Sequence, residues 1–155
     1  LEMADSDPRH DELFSLTWTM AIFIQSINKE SKYFTFNSIY GHHGILNKDN
    51  SKRPLYYLND FLISLSNSEI YKFNPINEVY GLKVVLKDKK YYLFVNSSKQ
   101  KKEINISGLN LSYQYKLNLK NFSDIFKNDF SFFNFKKDTN PYTFEPLEIK
   151  FIEDK

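Results

Sequence analysis

The stretch Tyr33-Phe34-Thr35-Phe36-Asn37-Ser38-Ile39-Tyr40-Gly41-His42-His43-Gly44 decides how this chain is read. Tyr33 to Phe36 are aromatic or β-branched, the side chains that suit a pleated and buried surface, so they read as one short strand. The strand opens into a loop punctuated by Gly41 and Gly44 and rich in aromatic and imidazole groups. A helix is expected before this stretch and another after it, and from Glu69 onward the pattern turns to strands and turns. That order is the order of the last unit of a barrel joined to a β-domain, and strand-end loops are where barrel enzymes keep their chemistry.

Working toward the amino terminus, Asp5-Ser6-Asp7-Pro8-Arg9 carries turn formers, and Asp7 or Asp11 is placed to cap a following helix. That helix, Leu13 to Ile27, is apolar around most of its circumference, with Trp18 among its expected core residues. A helix of this kind requires burial on more than one side. Toward the carboxyl terminus, Asn47 to Lys52 is a polar connection. Pro54 then suits a first helical turn, and Leu55, Leu58, Phe61, Leu62 and Leu65 recur at helical spacing until Asn67-Ser68 ends the helix.

From Glu69 the hydrophobic period is two. Strands are predicted from Ile70, across Val79 to Leu86, and back from Tyr91 to Val95 after the polar turn Lys87-Asp88-Lys89-Lys90. Further strands are expected at Glu103 to Ser107, Ser112 to Leu119, Asp129 to Asn134 and Glu145 to Ile152. Gly81 inside a strand pattern marks a bulge or a close approach of other atoms. The fold class is therefore α+β: terminal helix and strand elements of a (β/α)8 barrel over residues 1–68, then an antiparallel β-sandwich over residues 69–155.

Composition narrows the function. A net charge of +2 gives no strong steering toward nucleic acid, and the densest basic cluster, Lys99-Gln100-Lys101-Lys102, falls where a solvated turn is expected. The absence of cysteine removes disulfides and thiolate sites. No apolar run reaches the length of a membrane-spanning helix. The Asn-x-Ser sequons at Asn96, Asn105, Asn110 and Asn121 read as accidents of an Asn-rich composition. Leu1-Glu2-Met3 reads as a cloning junction. No phosphate-binding glycine loop, Gly-x-Ser-x-Gly elbow or His-Glu-x-x-His motif occurs.

The order of Asp7-Pro8-Arg9, the Trp18 helix, Thr35-Phe36 with its Gly41-x-x-Gly44 loop, and Arg53-Pro54-Leu55-Tyr56 resembles one family. It is similar to the carboxyl-terminal part of the D-apionate lactonase family, a glycoside-hydrolase-like barrel followed by a β-sandwich. Pro141-Tyr142 and Pro146 before Leu147-Glu148-Ile149 also look like the closing strand of such a sandwich. The resemblance implies catalytic carboxylates on upstream barrel strands. Where the family pattern carries Glu three residues before the first loop glycine, this chain has Ser38. Paired carboxylates are the minimum equipment for ordinary glycoside hydrolysis, and no convincing pair is visible.

The expected function is accordingly the carboxyl-terminal portion of a carbohydrate-active enzyme, glycoside-hydrolase-like or sugar-lactone-hydrolase-like. It would supply one wall of a sugar site and a stabilising sandwich, without turning over substrate alone. Tyr40 offers a ring for stacking on a pyranose. His42 and His43 offer imidazoles for hydroxyl contact, and Asp7 with Arg9 offers an ion pair shaping the site. Each has a plainer reading beside it: packing for Tyr40, a solvated loop for the histidines, a surface pair for Asp7 and Arg9. No catalytic residue, metal set or cofactor is assigned. The partners expected are a carbohydrate or sugar-acid ligand and the upstream barrel portion, not nucleic acid or membrane. The alternative is a stand-alone, non-catalytic glycan-binding or protein-interaction module.

Overall fold

A computed structural model describes residues 8–27, 35, 37–41, 44–87, 89–105, 111–123, 136–137 and 142–154. A 3-10 turn, Pro8–Asp11, leads into helix α1, Leu13–Ser26. Glu12 occupies the N-cap in extended geometry and makes no side-chain cap bond. The Ser15 hydroxyl instead donates to the carbonyls of His10 at 3.0 Å and Glu12 at 2.8 Å. Asp11, a cap candidate on sequence grounds, faces the Arg53 guanidinium at 3.7 Å. The strand expected at Tyr33 to Phe36 lies largely outside the described residues.

Helix α2, Pro54–Ser64, starts with proline at its first turn, where the missing N–H costs nothing. It closes with Ser68 N donating to Leu65 O, while Asn67 takes the left-handed conformation at φ 71°. Strands follow at β1 (Glu69–Lys72), β2 (Val79–Leu86), β3 (Lys89–Asn96), β4 (Lys102–Glu103), β5 (Leu111–Leu117), β6 (Lys136–Lys137), β7 (Thr143–Phe144) and β8 (Glu148–Asp154). Six of them form one antiparallel sheet in the order β1-β2-β3-β8-β5-β6, and β4 pairs with β7 in a separate ribbon. The protein is thus α+β, as its periodicity predicts.

Two helices, not a second full sheet, cover one face of the six-stranded sheet. Leu82, Val84, Leu93, Val95, Leu117, Ile149 and Phe151 form one buried cluster with Leu13, Leu16, Met20, Ile24, Leu55, Leu58 and Phe61. The opposite face carries a smaller cluster, in which Ile104 and Phe144, from the ribbon and the residue after it, cover Val79, Tyr92, Phe94 and Ile152. The second layer expected of a sandwich is, among the described residues, this two-stranded ribbon.

Trp18 is a correction to the sequence reading. Expected in the core, it is 54% exposed. Successive helical residues step by about 100°, so the buried line through Leu13, Leu16, Met20 and Ile24 leaves Trp18 and Ile22 on the far side. Because α1 is apolar nearly all round, composition could not say which side the sheet would take.

Turn chemistry sets the strand ends. The β1–β2 connection closes through mutual bonds between Ile76 and Val79, with Asn77 and Glu78 at φ 50° and 63°. Positive φ at both central positions matches the right-handed twist of a hairpin. The final strand starts at Glu148, later than the Glu145 predicted, because Leu147 sits at φ 51° after Pro146 and donates its N–H to Ser98 O. The strand predicted at Glu103 to Ser107 is observed at Lys102–Glu103, and the one at Asp129 to Asn134 lies outside the described residues.

Gly81 makes a close approach and not a bulge, since β2 and β3 pair in unbroken register with Gly81 opposite Phe94. A Cβ there would lie 2.5 Å from the Phe94 ring and 3.1 Å from Phe73. The Phe94 ring lies over the bare backbone, and Phe73 stacks on it nearly parallel, with centroids 5.8 Å apart at 12°.

At one end of the sheet a buried polar network joins β3, β5 and β8. Asn96 donates to the carbonyls of Gln100 at 2.7 Å and Glu145 at 2.9 Å. The Glu148 carboxylate accepts from Asn118 Nδ2 at 3.0 Å and from the Glu145 N–H at 2.7 Å. Asn121 accepts from the Asn118 N–H at 2.8 Å and donates to Lys116 O at 2.8 Å. Burial pushes the Glu148 carboxyl above the usual carboxylate range, against the opposing pull of Asn118 and the Lys150 charge.

Two stability predictions follow from these contacts. Gly81→Ala is expected to cost about 1–3 kcal/mol in urea unfolding, because the added methyl must displace a ring held on both sides; an unchanged midpoint would show that Phe94 moves freely. For Glu148, the folded state binds the proton more tightly than the unfolded chain. Its contribution to stability therefore falls as pH rises above the ordinary glutamate range and through the raised value of the folded state. Glu148→Gln should flatten that part of the urea midpoint against pH, and an identical slope in both proteins would contradict the assignment.

Candidate functional site

A groove of about 660 Å³ runs along the exposed side of α1. The 3-10 turn contributes Arg9 and His10, α1 contributes Trp18 and Thr19, and Thr35 and Asn37 face them from the segment before the glycine loop. The apolar stretch of its wall is Phe14, Trp18, Ile22 and Leu55. Arg9 extends over the Phe14 ring, its guanidinium carbon 5.9 Å from the centroid. His10 Nδ1 and Asn37 Oδ1 are shielded from solvent. No aspartate or glutamate lines the groove among the described residues.

The glycine loop is a compact structure beside this groove. Gly44 N donates to Gly41 O at 3.0 Å, Ile45 N to Ser38 O at 3.1 Å and Leu46 N to Ile39 O at 3.0 Å. The Ser38 hydroxyl donates to Tyr40 O at 2.8 Å. Gly41 adopts φ 101°, a conformation that favours glycine, and a Cβ on Gly44 would sit 2.6 Å from the Tyr40 carbonyl carbon. Both glycines are therefore required by the path of the backbone. The loop holds Ile39 and Tyr40 out in solvent, at 61% and 58% exposure.

Arg53, at the start of α2, ties the loop to the 3-10 turn that precedes α1. Its N–H donates to Ile45 O at 3.0 Å, its Nε donates to Asn47 Oδ1 at 2.7 Å, and the same guanidinium faces Asp11 at 3.7 Å. Arg53 is largely buried and Asp11 exposed, so the hydrogen bond to Asn47 anchors the side chain more firmly than the ion pair does.

The structure places the expected site residues unevenly. Arg9 lines the groove, and Tyr40 stands exposed on the loop without lining it. Asp7, His42 and His43 lie outside the described residues. Sequence reasoning missed His10, Asn37, Trp18 and Arg53. The signals were present: His10 adjoins Arg9, Asn37 follows the predicted strand, and Arg53 immediately precedes the helix-starting proline.

Chemically, the groove offers a guanidinium, an imidazole, an amide, hydroxyls and an indole. Side chains of these kinds can donate hydrogen bonds to, and accept them from, a polar ligand. The groove holds, among the described residues, no carboxylate pair of the kind a glycosidase uses. Among the described residues no group of three or more His, Asp or Glu side chains is arranged to hold a metal.

Comparison with known proteins gives a likeness of fold and a family-model match to part of the chain. The fold is similar to that of the glycoside hydrolase family 30 subfamily 8 xylanase Xyn30A from Clostridium acetobutylicum, with a TM-score of 0.58 at 12% identity over 94% of this chain and 40% of that one. A glycoside hydrolase family 30 endoxylanase from Clostridium papyrosolvens aligns over 97% of this chain and 39% of its own, with a TM-score of 0.49 and 10% identity. The chain thus spans about 40% of the length of the xylanase it matches. Residues 1–67 match the family model described as D-apionate lactonase, TIM barrel domain. That is the family resembled on sequence grounds, and the match covers the helical part of the chain. No curated protein matches.

The loop geometry makes one prediction. Gly44→Ala is expected to open the residue 38–46 loop, raising hydrogen exchange at the Ile45 and Leu46 amides by about tenfold or more. Protection equal to that of the parent protein would mean that the backbone accommodates the methyl without losing these bonds.

Proposed function

We propose that this chain is the carboxyl-terminal portion of a carbohydrate-active enzyme whose first part, through residue 68, supplies terminal elements of a (β/α)8 barrel. On this reading Arg9 and the 37–44 loop, with Tyr40, His42 and His43, form one wall of the sugar site, and Asp7 helps to shape it. The catalytic carboxylates come from upstream barrel strands. The sheet of residues 69–155 stabilises the barrel end by covering both helices.

The observation that carries this reading is the groove beside α1. It joins an apolar wall, the exposed Trp18 between the half-buried Phe14 and Ile22, to a polar end, Arg9, His10 and Asn37. An apolar helix face of this size calls for a packing partner. In a barrel the neighbouring helix and strand would take the apolar wall, leaving the polar end toward the ligand. The match of residues 1–67 to a lactonase barrel model and the fold likeness to a xylanase support the same reading.

The reading favours a sugar lactone or a glycoside as substrate. Expressed together with the barrel elements that precede residue 1, the protein is expected to hydrolyse one of these classes in a panel of aldonolactones and xylo-oligosaccharides. In that protein Arg9→Ala and Tyr40→Ala should raise KM on the order of tenfold with a smaller effect on kcat, as expected for groups that bind equally in ground and transition states. Turnover by the 155-residue chain alone, lost on substituting His42 or His43, would overturn the assignment. A purified chain that stays a cooperatively melting monomer would favour a stand-alone module instead.

A further inference from the structure

The sheet face turned away from the helices carries a second cavity, distinct from the α1 groove. It measures about 250 Å³ and lies between the β1–β2 hairpin and the segment following β4. Its floor is the Phe94 ring lying over Gly81, with Phe73 stacked nearly parallel beside it. Phe73 stacks in the same manner on Tyr92, with centroids 6.2 Å apart at 16°, so the rings form a braced aromatic platform. Asn74 and Asn105 line the cavity as exposed residues, and among the described residues neither side chain makes a hydrogen bond.

The walls are fixed before any ligand arrives. Asn77 Nδ2 donates to Glu103 O at 3.2 Å, and Lys102 pairs with Glu78, so two contacts join the hairpin turn to β4 across the end of the cavity. On the far side Ile104 N donates to Tyr142 O at 2.9 Å. Ile104 and Asn105 also line an adjoining open depression of about 510 Å³, which continues past Tyr142 and Thr143. Tyr142 is 43% exposed there.

We propose that this cleft binds a neutral oligosaccharide, with one sugar ring in the cavity by Phe73 and Phe94 and the chain continuing toward Tyr142. The inference takes its ligand class from the carbohydrate reading of the protein and its location from observations on the opposite face of the sheet. A pyranose presents C–H groups on its faces and hydroxyls at its rim. The cleft presents aromatic surface below and solvated amides at its edge, the pairing of apolar area with a few convergent polar groups that small-ligand sites use. An anionic ligand would find no available partner in Lys102, because Glu78 already holds it. A purely apolar side chain would leave the two amides without use.

Isothermal titration of the 155-residue chain with xylohexaose and with cellohexaose tests the proposal. Saturable binding of at least one is expected. The double variant Asn74→Ala/Asn105→Ala, both positions exposed, should melt as the parent does and bind on the order of tenfold more weakly. Phe73→Ala should abolish binding. Lack of binding by both sugars, or full-strength binding in the double variant, overturns the proposal. Binding lost in Arg9→Ala or Trp18→Ala but kept in the double variant overturns it as well, and places the sugar in the α1 groove, so that the catalytic reading stands while this one fails.

Discussion

The six-stranded sheet has one face that must be kept dry, and the docking of α1 and α2 onto that face is the constraint from which the rest follows. Each large aliphatic or aromatic side chain buried there contributes about 1.5–3 kcal/mol. A typical hydrogen bond or exposed ion pair contributes about 1 kcal/mol or less. Leu16, Met20 and Leu58 are fully buried against strand residues such as Leu82 and Val95. The helices and the sheet therefore share a core, and a change under the sheet is felt at the candidate groove. Once α1 is rotated to bury Leu13, Leu16, Met20 and Ile24, Trp18 has nowhere to go but outward. The groove is a consequence of that rotation.

On the other face of the sheet the cluster is smaller among the described residues, and polar interactions there have a different task. Phe144 lies fully buried beneath the Lys150 ammonium, 4.8 Å from the ring centroid, while Asn96, Asn118 and Glu148 lock the ends of three strands together. Buried polar groups of this kind are costly unless satisfied, so they fix register more than they add stability. They hold the ribbon over Phe94, and the space the ribbon leaves beside Phe73 is the second cavity. These two openings thus arise differently, one along the outer side of α1 and one beside the two-stranded ribbon.

Much of the architecture was readable in advance. Pro54, the spacing of Leu55, Leu58 and Phe61, and Asn67 are local signals that bound α2 closely. Alternation through Tyr80, Leu82, Val84 and Leu86 marked β2 as a two-faced strand, and the structure turns Leu82 and Val84 toward the helices. Gly81 advertised a bulge or a close approach, and the unbroken β2–β3 register leaves the close approach. The candidate site was less accessible. Arg9 was found because it stands out by charge, whereas Asn37 and His10 belong to the groove only through the relative placement of a turn, a helix and a strand end.

The sequence by itself determined the two helices, the alternation that marks strands such as β2 and β3, the turn positions Gly41 and Gly44, and the resemblance to a barrel-plus-sandwich enzyme family. These rest on short-range periodicity and on backbone preferences that act within a few residues. Only the tertiary structure decided which side of α1 meets the sheet, that Trp18 is exposed, that both helices pack on one face of the sheet, and that Asn74 and Asn105 edge a cavity floored by Phe94. Those outcomes depend on contacts between residues far apart in the chain, and an apolar helix or an exposed asparagine has no local signature that says what will lie across from it.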